Sequence, residues 1–195
     1  MSIKLGSSKK KARENIGNGQ YPARIVQIVD WGMQENEYEG DVKVQHRVWI
    51  NFELPTKRID IEKDGETKSM PRWLGKQYTL SSHEQSTMYK MISSIAPMFD
   101  FEEDGLEDLI GVECMVAVGT TSGGKDKVTG VNPPIDGMEI PELENDTLIF
   151  DTSDPDYDTF LKIPDWMKKE VVGAVDFEGS VVEQLLKANK FKLEA

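Results

Sequence analysis

The sequence predicts a mainly β protein: a small barrel of five strands, with one helix between the third and fourth strands. Residues 42–54 alternate apolar and polar side chains, which is typical of a strand with one buried face. Residues 81–96 repeat apolar side chains at helical spacing and stop before Pro97, which cannot continue a helix. Residues 112–131 form two short apolar segments joined by a glycine-rich loop, as in a hairpin.

The order of these elements is that of the OB-fold, a Greek-key barrel whose members often bind single-stranded nucleic acid. After the second strand, Asp64 and Gly65 lie in a stretch that predicts either a long loop or a protruding hairpin turning there. A capping box at Ser81 or Ser82 predicts the start of the helix, whose methionines would close the bottom of the barrel. The predicted strands cover residues 20–31, 42–54, 73–80, 112–118 and 127–131.

Charge is distributed unevenly along the chain. The net charge is −12, but residues 1–80 carry 14 Lys and Arg against 11 Asp and Glu, a net of +3. Residues 81–195 carry 9 against 24, a net of −15. Overall acidity disfavours a nucleic-acid binder, although a local basic face can coexist with an acidic appendage. We predict a flexible basic arm over residues 1–19, the barrel over 20–134, and an acidic linker with a helical extension over 135–195.

Both ends of the chain have more than one interpretation. The arm, with Lys9, Lys10, Lys11 and Arg13, is either a solvated tail or a strand that follows a phosphate backbone. The acidic C-terminal region either packs as part of the domain, or folds over a basic groove and competes with DNA, or recruits replication or recombination proteins. Helices are predicted over residues 165–172 and from about residue 180, where apolar side chains form a stripe.

Two short motifs resemble ligand loops but lack a required residue. Residues 119–125 are one residue short of a phosphate-binding loop and precede a strand rather than a helix, so we interpret them as a glycine hairpin. Residues 154–158 begin like a calcium loop, but Thr159 stands where the turn needs glycine. A solvated acidic linker is the favoured interpretation of that segment.

The sequence predicts no enzyme, no metal site and no cofactor. The two histidines, His46 and His83, belong to no recognisable arrangement of nucleophile and base. The single cysteine, Cys114, excludes an internal disulfide and a cysteine-based zinc site. No apolar run reaches the roughly 18 residues of a membrane span, so no membrane association is predicted.

The second strand carries the strongest candidate binding surface. Lys43, Arg47 and Trp49 share its polar face, and a tryptophan that faces water needs an explanation. One explanation is stacking on nucleic-acid bases, worth about 1–3 kcal/mol per base. The other is packing beneath a loop or the C-terminal segment. Lys125 and Lys127 lie by the loop between the last two strands, where OB-folds often touch their ligand.

Five segments also carry a resemblance to a known family. In chain order they are QYPARIVQIVDWG, VWINFELP, YTLSSHEQSTMYKMI, LEDLIGVECMVAV and FLKIPDWMKKEV, within about residues 17–172. They resemble the small single-stranded DNA-binding proteins encoded by tailed bacteriophages. The resemblance implies an OB-fold that coats single-stranded DNA during phage DNA replication, recombination or repair, in the cytoplasm of the infected bacterial host. It names no binding residues.

The binding residues are therefore predicted from face and chemistry. Cations would neutralise phosphates along a groove, and aromatic rings would stack on bases with little sequence preference. A phage protein–protein adaptor and a virion structural component remain alternatives, since a fold does not determine a function. The predicted cations are Arg24, Lys43, Arg47, Lys76, Lys125 and Lys127, and the predicted rings are Trp31, Trp49, Trp73 and Tyr78.

Overall fold

A computed structural model describes residues 14–38, 40–63 and 65–192, so most of the predicted basic arm, residues 1–13, lies outside the described residues. The chain forms a six-stranded sheet with four short α-helices. The strands run in the order β3-β2-β1-β4-β5. β6 lies outside this order and pairs with β1. Their bounds are β1 Gly19–Tyr38, β2 Asp41–Lys63, β3 Glu66–Thr79, β4 Glu113–Thr120, β5 Asp126–Asn132 and β6 Leu148–Phe150.

The sheet differs from the predicted five-stranded barrel in two ways. A sixth strand, β6, lies parallel to β1, whereas the other neighbouring strands are antiparallel. The sheet is also open, because β3 and β5 lie side by side without a ladder of hydrogen bonds in the described part of the chain. The mainly β class and the order of the first five strands are confirmed.

The helices begin and end where local chemistry allows. α1 ends one residue before Ala96, as Pro97 predicted. Its N-cap is Ser86, whose hydroxyl accepts from the backbone N–H of Tyr89, so the predicted start at Ser81 or Ser82 is wrong. The Ser81 hydroxyl instead accepts from the N–H of residue 83 in a local turn. The helices are α1 Thr87–Ile95, a 3₁₀ turn Leu106–Leu109, α2 Tyr157–Lys162, α3 Asp165–Val172 and α4 Val181–Ala188.

Both long hairpins extend beyond the core. The hairpin interpretation of residues 55–71 is confirmed, since β2 and β3 pair from Arg47↔Thr79 out to Lys63↔Glu66. Val42 and Val44, predicted to face the core, are 56% and 45% exposed. They pair with the end of β1 in a projecting hairpin, where no element of the described chain covers either face.

The main core lies on one face of the sheet. The alternation predicted for β2 holds from Val48 to Leu54, whose apolar residues are fully buried. α1 covers this face with an apolar side that includes Met88 and Ile92, as its helical spacing predicted. Cys114 is buried in the same core as a small apolar residue.

A second core joins the C-terminal region to the opposite face of the sheet. Val29 and Trp31 of β1 pack against Phe150, Phe160 and other apolar side chains of β6 and α2–α4. Residues 139–161 therefore include a strand and the start of a helix that contribute buried rings, whereas the acidic side chains of Asp154, Asp156 and Asp158 are exposed. No helix in the described ranges is long and apolar enough to cross a membrane.

Candidate nucleic-acid interface

Strand register assembles a strip of polar and aromatic side chains on the face of β2 and β3 opposite the main core. Arg47 pairs with Thr79, and Trp49 pairs with Gln77. Paired residues in an antiparallel sheet present their side chains to the same face. The C-terminal region covers the neighbouring part of this face over β1. We call the members that remain partly accessible the tryptophan strip: Arg47, Trp49, Trp73, Gln77 and Trp166.

Trp49 is half-buried within a cluster of three indoles. Its ring stacks on that of Trp31, with centroids 5.3 Å apart and an angle of 15° between the planes. Trp166 of α3 meets it edge-on, at 5.1 Å and 81°. Trp31 of β1 therefore covers one side of the ring, and the C-terminal segment, named in one of the two explanations for this tryptophan, adds the edge-on contact of Trp166. Trp166 is 46% exposed and extends the aromatic surface towards solvent.

Trp166 was missed by the sequence-based prediction of the site. The segment that contains it was correctly predicted as a helix, now α3. Met167 and Val171, four residues apart, are the buried apolar positions of that helix, which places Trp166 off the apolar stripe. A large aromatic residue off the apolar stripe of a predicted helix is the signal that could have found it.

A buried polar chain holds the indole of Trp49 in place. Its Nε1–H donates to Asn51 Oδ1 at 2.8 Å, and the Asn51 amide donates to Gln27 Oε1. Gly75, opposite Asn51 on β3, leaves the space that this arrangement needs. A methyl group at this position would overlap both the Trp49 Nε1 and the Asn51 Oδ1 atoms.

We expect Gly75→Ala to destabilise the protein by about 1–3 kcal/mol, the usual cost of overpacking. The alanine would force the indole of Trp49 out of its hydrogen bond, so tryptophan emission should move to longer wavelength. Urea unfolding followed by fluorescence measures both effects. Gly123→Ala is the matched control, because a methyl group at that position would meet only the Thr121 hydroxyl, at 3.9 Å. Equal stability of the two variants would contradict the packing described here.

Arg47 is a cation without a carboxylate partner in the described part of the chain. Its Nη1 donates to Thr79 Oγ1 at 2.7 Å, and its Nη2 donates to Gln45 Oε1 at 2.8 Å. These neutral partners orient the guanidinium without neutralising it. Its buried Nε–H has no hydrogen-bond partner among the described residues. The charge therefore remains available to an anion beside the tryptophans.

Four predicted lysines lie elsewhere on the molecule. Lys43 is exposed on the projecting β1–β2 hairpin, and Lys76 lies on the other face of β3, with its Nζ 5.3 Å from the Tyr78 ring. Lys125 and Lys127 are exposed in and after the β4–β5 loop. The structure therefore groups Arg47, Trp49 and Trp73 on one face and leaves these lysines outside the strip.

Three predicted binding residues are removed from the candidate set. Trp31 and Tyr78 are only 4% and 2% exposed, so neither ring offers a face on which a base could stack. Trp31 packs in the second core and Tyr78 in the main core, where burial raises the pKa of its hydroxyl. Arg24 pairs with Glu113 at 2.7 Å and also donates to backbone carbonyls, including that of Ile140 at 2.9 Å. It secures the C-terminal region rather than offering a free charge.

A histidine–carboxylate pair joins β2 to β1. The His46 Nε2 atom lies 2.6 Å from Asp30 Oδ1. The hydrogen bond to Asp30 raises the pKa of His46 against the opposing effect of burial. Burial disfavours the Asp30 carboxylate, but hydrogen bonds from His46, Thr152 and the Gly32 N–H together lower its pKa. Because Thr152 follows β6, the pair also ties the C-terminal region to β1.

This pair should make stability depend on pH. A histidine whose pKa is raised by folding stabilises the native state below its ordinary pKa of 6.5, and the contribution is lost as pH rises through the raised value. We therefore expect the urea midpoint to fall as the pH rises above about 6.5. His46→Gln should flatten this dependence, whereas His83→Gln, at an exposed turn, should leave it unchanged. A wild-type profile shared by both variants would contradict the assignment.

The described residues contain no group of three or more His, Cys, Asp or Glu placed to hold a metal ion. Comparison of the chain with protein-family models, with curated proteins and with solved structures found no match. What the tryptophan strip can bind therefore follows from its own geometry and charge.

Proposed function

We propose that this protein binds single-stranded DNA with little sequence preference through the tryptophan strip. The observation that carries the proposal is the pairing of an uncompensated cation with an aromatic surface. Arg47 is held by neutral partners two residues from Trp49, and Trp166 adds an exposed ring to the same cluster. An arginine can meet a phosphate while the neighbouring rings stack on bases, which all offer a π-face.

The topology supports an OB-fold as the framework for this activity. The first five strands and α1 follow the order of that fold, and α1 packs against the main core where an OB-fold carries its helix. β2 and β3, which carry most of the tryptophan strip, are the strands through which OB-folds commonly bind oligonucleotides. On this proposal the open gap between β3 and β5 is a local departure from a closed barrel.

Lys125 and Lys127, which lie outside the tryptophan strip, would extend the contact with the DNA backbone. Lys125 and Lys127 are exposed by the β4–β5 loop, and no described carboxylate forms an ion pair with either of them. Asn15 donates to the carbonyl of Gly124 in this loop, so the basic residues 1–13 join the domain there. With the resemblance to phage single-stranded DNA-binding proteins, this favours a role in phage DNA replication, recombination or repair within the infected bacterium.

Titration with oligo-dT tests the proposed function. Binding should quench tryptophan emission, and log K should fall with log salt by about 0.7 for each phosphate contact. Lys125→Gln with Lys127→Gln should lower that slope by about 1.4 and leave the quenching at saturation unchanged. The matched control is Lys90→Gln with Lys187→Gln, two lysines on helices away from the strip. Absence of binding at low salt would favour the adaptor or virion alternatives.

A further inference from the structure

A second surface, distant from the tryptophan strip, follows α1. Met98 is 92% exposed, the highest exposure among the large apolar side chains of the described residues. Beneath it, Phe101 stacks on Tyr89 at 4.2 Å and meets Phe99 edge-on at 5.1 Å. Two open grooves of about 570 Å³ and 510 Å³ flank this ridge. We call the ridge and its grooves the Met98 patch.

The charge around the Met98 patch has a single sign. Its described lining includes carboxylates and no lysine or arginine. Glu113 is paired with Arg24, whereas no described cation forms an ion pair with Glu84 or Glu102. An apolar ridge within an anionic rim complements a segment that combines apolar and basic side chains. The lining carboxylates are Glu84, Asp100, Glu102, Asp104, Asp108 and Glu113.

The chain itself contains a segment with this chemistry. Residues 1–13 read MSIKLGSSKKKAR, with three large apolar side chains near one end and five Lys and Arg without an acidic residue. We propose that residues 1–13 of one copy bind the Met98 patch of a second copy. The apolar side chains occupy the grooves beside Met98, and the lysines face the carboxylates of the rim.

The position of the two surfaces favours a second copy over the same one. Ile16 donates its N–H to Asp126 at 2.8 Å, so residues 1–13 leave the domain by the β4–β5 loop. The Met98 patch instead includes Glu113, the first residue of β4. The two ends of this eight-residue strand lie about 23 Å apart at 3.3 Å per residue.

The reach of the segment is limiting within one copy. From Glu14, Leu5 can reach at most about 31 Å, and only with every intervening residue extended. Holding the chain that straight costs conformational entropy. The segment of a second copy can reach the patch without being fully extended. Residues 1–13 leave the domain near one end of β4, and the Met98 patch lies at the other end, so each copy contacts the next one head-to-tail. Contacts of this kind build open chains. If the protein coats DNA as proposed above, such a contact would make binding cooperative.

Sedimentation velocity of the full-length protein without DNA tests this inference separately from DNA binding. Wild-type protein should self-associate as its concentration rises, and added salt should weaken the association. Lys9→Glu with Lys10→Glu should weaken it at least tenfold, as should Glu84→Lys with Glu102→Lys. Glu84 and Glu102 form no ion pair within the described part of the chain, and thermal unfolding should confirm that the variants are folded.

Charge exchange provides the decisive comparison. Combining the two double variants in one chain should restore association, because the signs are then opposite again on both surfaces. Glu37→Lys with Glu178→Lys, exposed away from the patch, is the control and should associate like the wild type. A wild-type protein that stays monomeric at every concentration overturns the proposal. This outcome includes a protein in which residues 1–13 bind the Met98 patch of the same copy. Association that neither double variant weakens overturns it as well.

Discussion

Replacement of Trp49 by alanine is expected to weaken oligo-dT binding by about 5- to 160-fold, equivalent to the 1–3 kcal/mol that one stacked base contributes. The indole is half-buried, with one side on Trp31, and its remaining surface continues into the exposed ring of Trp166. Anisotropy of a labelled oligonucleotide measures the change without relying on tryptophan emission. Trp166→Ala should lower affinity too, since that ring is the most accessible of the cluster.

Two comparisons separate lost stacking from lost packing at Trp49. Arg47→Gln should reduce the salt slope by about 0.7, whereas Arg47→Lys keeps the charge and most of the slope. Phe101→Ala removes a ring from the Met98 patch and should leave unchanged the affinity for an oligo-dT too short to hold two copies. Wild-type affinity in folded Trp49→Ala and Trp166→Ala variants would show that the aromatic cluster serves only the second core.

Replacement of Phe160 by alanine is expected to destabilise the whole protein by about 3–5 kcal/mol, the usual cost of emptying a buried phenylalanine site. Phe160 is fully buried in α2, with the Phe150 ring at 5.6 Å and the Phe191 ring at 5.2 Å. Its neighbour Leu161 is 43% exposed, so Leu161→Ala serves as the control and should change stability far less.

The number of unfolding transitions shows whether the C-terminal region unfolds together with the sheet. β6 pairs with β1, and the second core includes Val29 and Trp31 of that strand. The sheet and the C-terminal region should therefore unfold in one transition, with tryptophan fluorescence and circular dichroism changing together. An early, separate transition in Phe160→Ala would mean that the C-terminal region is a detachable appendage.

Backbone chemistry made several elements predictable from the sequence. Alternation of apolar residues located the central part of β2, because a strand with one buried face imposes a period of two. Pro97 set the end of α1, since proline lacks the N–H that a helix requires. Asp64 and Gly65 indicated the turn of the second hairpin, which joins β2 to β3.

The failures share one physical cause. Val42 and Val44 follow the same alternation as Val48. A face of a strand is buried only where another layer covers it, and no described element covers the end of the β1–β2 hairpin. The acidic residues 139–161 have the composition of a linker, but Phe150 and Phe160 within them find apolar partners on β1 that lie far away in sequence.

The sequence by itself determined the mainly β class, the order of five strands, the helix between the third and fourth, and the shared face of Arg47 and Trp49. These follow from local periodicity and from residues that begin or end an element. Only the tertiary structure decided which aromatic rings reach solvent. The C-terminal region covers Trp31 and brings Trp166 beside Trp49, because burial depends on contacts between segments more than a hundred residues apart.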